Sequence, residues 1–131
     1  MISIAELRAI SQARLEDARI LLLNGRFDSA KYLCGYAVEL ALKARICMTL
    51  NWNGFPEERR EFENLTSFKT HKLDVLLVLS GQEQRIKSEH LQAWSAVANW
   101  DPELRYRRVG VAEPIEVTFM LIGAEVLLKV L

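Results

Sequence analysis

Disulfide chemistry is the first possibility this chain gives up. Its 131 residues hold only two cysteines, Cys34 and Cys47. They fall on one predicted helix, roughly 20 Å apart along its axis, whereas a bridge needs α-carbons within about 7 Å. Reduced, buried thiols in a cytoplasmic protein are the expectation. Histidine is equally scarce: His71 and His90 stand without a nearby cysteine or carboxylate ladder. They match no common ligand spacing, so no metal or other cofactor is expected. Net charge is missing too. Lys and Arg number 17 against 17 Asp and Glu, which removes any overall pull toward nucleic acid or anionic lipid, and such a partner would have to use a local patch. The N-terminus has no basic-then-apolar secretory pattern. The very apolar segment Ile115–Leu131 carries Glu116, Glu125 and Lys129 and is barely long enough to span a bilayer, so it reads as a buried core helix. No repeat, low-complexity tract, domain linker or convincing strand is visible.

What remains is helical. Half the residues are hydrophobic and a quarter charged, the balance of an ordered globular chain. Residues 1–131 suit a single domain that buries roughly two-thirds of its unfolded surface. Ser3 followed by Glu6 forms a capping box, with Ile2 and Leu7 placed as a hydrophobic staple, and opens a first helix. Asn24-Gly25 supplies a left-handed stop. The short connection favours an antiparallel hairpin with a second long helix, Phe27–Leu50. Pro56 suits the start of a short charged helix, Glu57–Leu65. Thr70 is placed to N-cap Lys72–Ser80, which Gly81 ends, and a further helix runs from about Gln84 to Trp100. Asp101-Pro102 breaks it, and Pro114 opens the last one. The fold class is all-α: an antiparallel up-and-down bundle of four main helices plus a short one.

The second helix has almost no solvated face. At 100° per residue Ala30, Cys34, Ala37, Ala41, Ala44 and Met48 share one side, and Tyr32, Tyr36, Glu39 and Lys43 the other. A helix of that kind is central, and it carries an acid, a base and two phenols into a crowded place. Glu39 and Lys43 are in the favourable i, i+4 order. Exposed, the pair is a minor structural contact; recessed, it shapes a polar pocket. His71, at a helix start, either packs against backbone or touches a ligand. Arg105, Arg107 and Arg108 around Tyr106 form the densest basic cluster. Guanidinium forks with an interleaved aromatic suit phosphates and stacked bases, though a solvated loop would look the same. Arg85 and His90 make an Arg-x4-His spacing, but five residues on one regular helix is about 140°, so the two side chains diverge. Trp52, Trp94 and Trp100 read as core or interface anchors.

In order, these residues resemble a known family. Phe27-Asp28-Ser29-Ala30 through Tyr36-Ala37-Val38-Glu39-Leu40-Ala41-Leu42-Lys43-Ala44 is similar to the second helix of HEPN domains (higher eukaryotes and prokaryotes nucleotide-binding). Thr70-His71-Lys72-Leu73 with Leu76-Leu77 resembles that family's His-Leu…Leu-Leu segment, and Arg105-Tyr106 its Arg-Tyr before the last helix. The resemblance covers nearly the whole chain. It implies a compact helical bundle, a homodimer, a nucleotide or RNA ligand, and pairing with a minimal nucleotidyltransferase as a toxin–antitoxin couple.

The ribonuclease branch of that family uses an arginine followed four to six residues later by histidine. Here Arg105 is followed at those distances by Val109, Gly110 and Val111, and without an imidazole the cleavage chemistry loses its acid/base group. The expectation is therefore a non-catalytic module binding nucleotide, RNA or a partner through Tyr36, Glu39, Lys43 and His71, with Arg105, Tyr106 and Arg108 at the mouth. The alternatives are a metal-independent RNase toxin acting as a dimer through Arg85 and His90, and a purely structural interaction subunit.

Overall fold

The computed structural model describes residues Met1–Leu131. Helix accounts for 71% of the chain, in about six segments, which establishes the mostly helical class. Ser3 caps α1 (Ile4–Leu23) as expected. Its hydroxyl accepts the Glu6 N–H at 3.2 Å while the Glu6 carboxylate accepts the Ser3 N–H at 3.0 Å, so two otherwise orphaned donors are satisfied reciprocally. Gly25 takes φ +76°, a conformation that costs little only without a β-carbon. That turn folds α2 (Phe27–Thr49) back onto α1. The α1–α2 seam is the most extensive contact in the molecule. Buried Ala30, Cys34, Ala37, Ala41 and Ala44 let neighbours approach α2 closely. Across the seam the buried Ser11 hydroxyl donates to the Ala37 carbonyl at 2.7 Å, which satisfies a polar group that would otherwise be stranded.

Both thiols sit inside this packing, and burial pushes Cys34 up to about 12. An aromatic disulfide reagent at pH 8 is expected to leave Cys34 and Cys47 unmodified in the native protein and to label both once denaturant is added, because the thiolate is the reactive form. Labelling within the mixing time, without denaturant, would contradict the burial.

The final helix, α6 (Pro114–Val130), begins at Pro114 as the sequence predicts and packs on α1, α2 and the helical segment Leu91–Val97. Its last carbonyls meet arginines from three elements. Arg85 donates to the Val130 carbonyl at 2.7 Å, and Arg8 and Arg45 donate to that of Leu131 at 3.3 and 3.4 Å. Cations there complement the helix dipole and satisfy acceptors with no partner inside the helix.

The middle of the chain departs from the sequence reading. In place of a helix over 57–65 there is a 3-10 turn, Arg59–Phe62, and then a second, Thr66–Phe68. The Glu61 carboxylate gathers the N–H groups of Glu58 and Glu57 and the Met1 amine, which, Glu58 first, hold its pKa down to about 2 and fold the segment around it. Met1's neighbours Ile2–Ser3 (β1) pair antiparallel with Gly54–Phe55 (β2), Ile2 opposite Phe55. This is a two-residue ladder that the sequence reading omits. Thr70 does not cap the next helix. Its hydroxyl accepts the Lys72 N–H at 3.2 Å, and α3 (Leu73–Leu79) starts after Lys72.

The helix expected over 84–100 is two helices, α4 (Glu83–Glu89) and α5 (Leu91–Val97), broken at His90 (φ −134°, ψ 34°). Each half makes its own contact with α6. Arg85 bonds the Val130 carbonyl, and α5 lies so close along α6 that a β-carbon at Gly123 would stand 2.7 Å from the Ala93 carbonyl oxygen. Three long helices and three of seven residues therefore replace the expected four main helices plus a short one.

Candidate functional site

The central position of α2 decides where its polar row goes. Glu39 is 1% exposed, and its Oε1 lies 2.8 Å from Lys43 Nζ and 2.7 Å from His71 Nδ1. The fixed 3.6-residue turn accounts for the first contact. The second crosses 32 residues of chain and depends on the segment before α3 lying against α2. Lys43, 15% exposed, also stands over the Phe55 ring, 5.2 Å from its centroid, a cation–π placement. His71 keeps 64% of its side chain exposed.

Above this cluster the row continues through aromatics. Tyr36 and Tyr32 lie with planes 5° apart and centroids 6.4 Å apart, and Tyr32 meets Trp100 at 6.1 Å. Burial raises the Tyr36 phenol, helped by the nearby Glu39 carboxylate. Trp100 is tethered to the same turn, its indole N–H donating to the Tyr32 carbonyl at 3.1 Å.

At the Tyr32 end the arginines begin. A 3-10 turn, Pro102–Tyr106, is opened by Asp101, whose carboxylate accepts the Glu103 N–H at 2.7 Å. It sets Arg105 5.0 Å from the Tyr106 ring centroid. The nearby Tyr106 and Tyr32 hydroxyls, Tyr106 first, raise the Arg105 guanidinium further. Beside it opens a cleft of about 650 Å³, whose wall carries Arg26, Arg105, Arg107 and Tyr32, with Ser29, Asp28 and Glu113 also on it. Asp28 is already occupied: its Oδ2 accepts the Gly110 N–H at 2.7 Å and its Oδ1 the Ala112 N–H at 2.9 Å. Those bonds, Gly110 first, lower its pKa.

The expected site residues thus fall into two groups. Tyr36, Glu39, Lys43 and His71 lie along the row, but none of them lines the arginine cleft. Seven residues separate Tyr32 from Glu39, about 10 Å along the helix. Arg105 belongs to the cleft; Tyr106 does not line it but stands exposed, with only its ring against Arg105. Arg108 turns instead toward Lys31 and Val111 in a much smaller recess. Arg107, part of the basic cluster in the sequence but not of the expected mouth, lines the cleft, as do Arg26 and Ser29, which were not expected there. Arg26 is the N-cap of α2 and Ser29 lies in its first turn, positions whose spacing points to no ligand. Nothing in the spacing pairs Asp28 with Gly110, 82 residues later.

Arg85 and His90 are not assembled within the chain. Arg85 Nε donates to Gln82 Oε1 at 2.7 Å and its Nη2 to the Val130 carbonyl. His90 lines an apolar groove of about 690 Å³ between α5 and α6 instead, with Leu91, Phe119 and Ile122. These three are more than half exposed.

Comparison with protein-family models, curated proteins and solved structures gives no match. The functional reading therefore stands on the residues and their geometry.

Proposed function

We propose that this chain is a HEPN-like module without catalysis of its own, which binds the phosphates of a nucleotide or RNA. It would work as a homodimer beside a minimal nucleotidyltransferase in a toxin–antitoxin-type pair. The observation that carries the ligand part is the cleft at the start of α2, where three arginines, Arg26, Arg105 and Arg107, share a wall with Tyr32. Guanidinium groups match phosphate oxygens in fork geometry, and a phenol ring offers a face for a base. Of the two carboxylates on that wall, Asp28 is satisfied by backbone N–H groups, so it opposes an incoming anion less than a free one would. Glu113, the other, is exposed to solvent. In this reading the Glu39–Lys43–His71 cluster braces the helix that presents Tyr32 rather than gripping the ligand. The exposed apolar groove between α5 and α6 supports a protein partner, because contiguous apolar surface on one face commonly marks an interaction site. Arg85, engaged at the end of α6, does not support the RNase alternative.

Anisotropy titration of a fluorescent hexauridylate, with adenosine triphosphate as competitor, tests the ligand at low salt. Binding is expected, falling with added salt as counterions return to the phosphates. Arg105→Ala is expected to weaken it about tenfold, the scale of one lost charge-assisted hydrogen bond. No binding of either probe up to millimolar protein would remove the proposal.

A further inference from the structure

Arg107 hangs from the end of the 3-10 turn by one bond, its N–H to the Leu104 carbonyl at 3.1 Å, and the segment beyond it has no helix or strand to hold it. From Arg107 to Glu113 the chain is turn and bend, and Gly110 adopts φ +88°. No hydrogen bond secures residues 108–112 except the two that end on Asp28. That carboxylate stands on the first turn of α2, a rigid 23-residue helix, and gives one oxygen to each amide.

We infer that Asp28 is the positioning residue of the arginine cleft: it clasps the loop so that Arg107 stands on the same wall as Arg105 and Arg26. This rests on the phosphate-binding reading above and extends it to a residue that would not itself touch the ligand. The chemistry requires a carboxylate. Two N–H donors need two acceptors, and an asparagine would offer one oxygen and turn an NH2 toward the other donor. Aspartate, with a single methylene, is also the shortest acid that can place both oxygens while remaining on the helix. A carboxylate in the wall of an anion site is otherwise a handicap, and its occupation by two amides explains how the cleft accommodates one.

Two readouts test the clasp, on the full chain. Amide hydrogen exchange is expected to show Gly110 and Ala112 protected in the wild type and exposed in Asp28→Asn, with the α2 core amides unchanged. Titration of the same fluorescent hexauridylate is expected to show Asp28→Asn and Arg107→Ala each weakening binding about tenfold. Each should also reduce the slope of log K against log salt by about 0.7, one phosphate contact on a single strand. Because Asp28 acts through Arg107, the double variant should bind no more weakly than either single one. Additive losses, or slow exchange at both amides in Asp28→Asn, would overturn the clasp. If the wild type does not bind the probe, the phosphate-binding reading fails by itself, and the exchange measurement alone decides whether Asp28 fixes the loop.

Discussion

Lys43→Met is expected to destabilise the protein by about 3–5 kcal/mol, the cost of leaving one member of a buried ion pair alone. Glu39, 1% exposed, would keep only His71, which is 64% exposed and shared with water. A short, well-hydrated imidazole contact at one oxygen does not replace an ammonium held 2.8 Å away inside the fold. The companion variant separates two explanations. Glu39→Leu combined with Lys43→Met removes both charges, and apolar side chains of similar volume in place of a buried pair are often neutral or stabilising. The double variant is therefore expected to recover most of the loss in a urea titration. A single-variant cost below about 1 kcal/mol, the range of exposed pairs, would show that the cluster is solvated. If the double variant also binds the hexauridylate as tightly as the wild type, the cluster is a brace for α2 and no part of the ligand site.

Gly35→Ala is the second large effect, and here two rules give opposite signs. In a helix interior alanine is favoured over glycine by about 1 kcal/mol, so propensity alone predicts a gain. Packing predicts a loss, because a β-carbon at Gly35 would intersect the indole ring of Trp100. That ring cannot step aside easily: it is 5% exposed and its N–H is bonded to the Tyr32 carbonyl. Overpacking of this kind costs about 1–3 kcal/mol and sometimes more, so a net loss is expected, read as a lower urea midpoint. In a Trp100→Ala background the collision disappears and the same substitution should become stabilising. A gain from Gly35→Ala in the otherwise native protein would show that Trp100 packs elsewhere. Because Trp100 also supports Tyr32, the single variant is further expected to disturb the cleft.

The long elements were readable because their signals are local. A capping box, a left-handed glycine and a continuous apolar run need nothing beyond a dozen neighbouring residues, and α1, α2 and the start of α6 lie where those signals put them. The inward course of Glu39 was legible for the same reason, since the residues around it leave α2 almost no polar face. The middle segment was not. Glu83–Val97 meets α6 on both sides of its break, through Arg85 at the Val130 carbonyl and through Ala93 against Gly123. Neither contact is encoded in the segment's own periodicity. Glu57–Leu65 had a helix-like composition, yet Glu61 satisfies amides and the Met1 amine, which a local pattern cannot anticipate.

The candidate site divides in the same way. Periodicity alone determined that Tyr32, Tyr36, Glu39 and Lys43 share one stripe of a central helix, because 3.6 residues per turn leaves them no other arrangement. Composition alone determined that any anion-binding surface had to be a local patch on a neutral chain. Only the tertiary structure decided that Arg105 and Arg107 line one cleft with Arg26 while Arg108 does not, and that Asp28 bonds the loop beyond Arg107. The physical reason is the range of the forces. Backbone hydrogen bonding and side-chain burial act over a few residues and leave a periodic trace, whereas a carboxylate meeting an amide 82 positions away leaves none until the chain has folded.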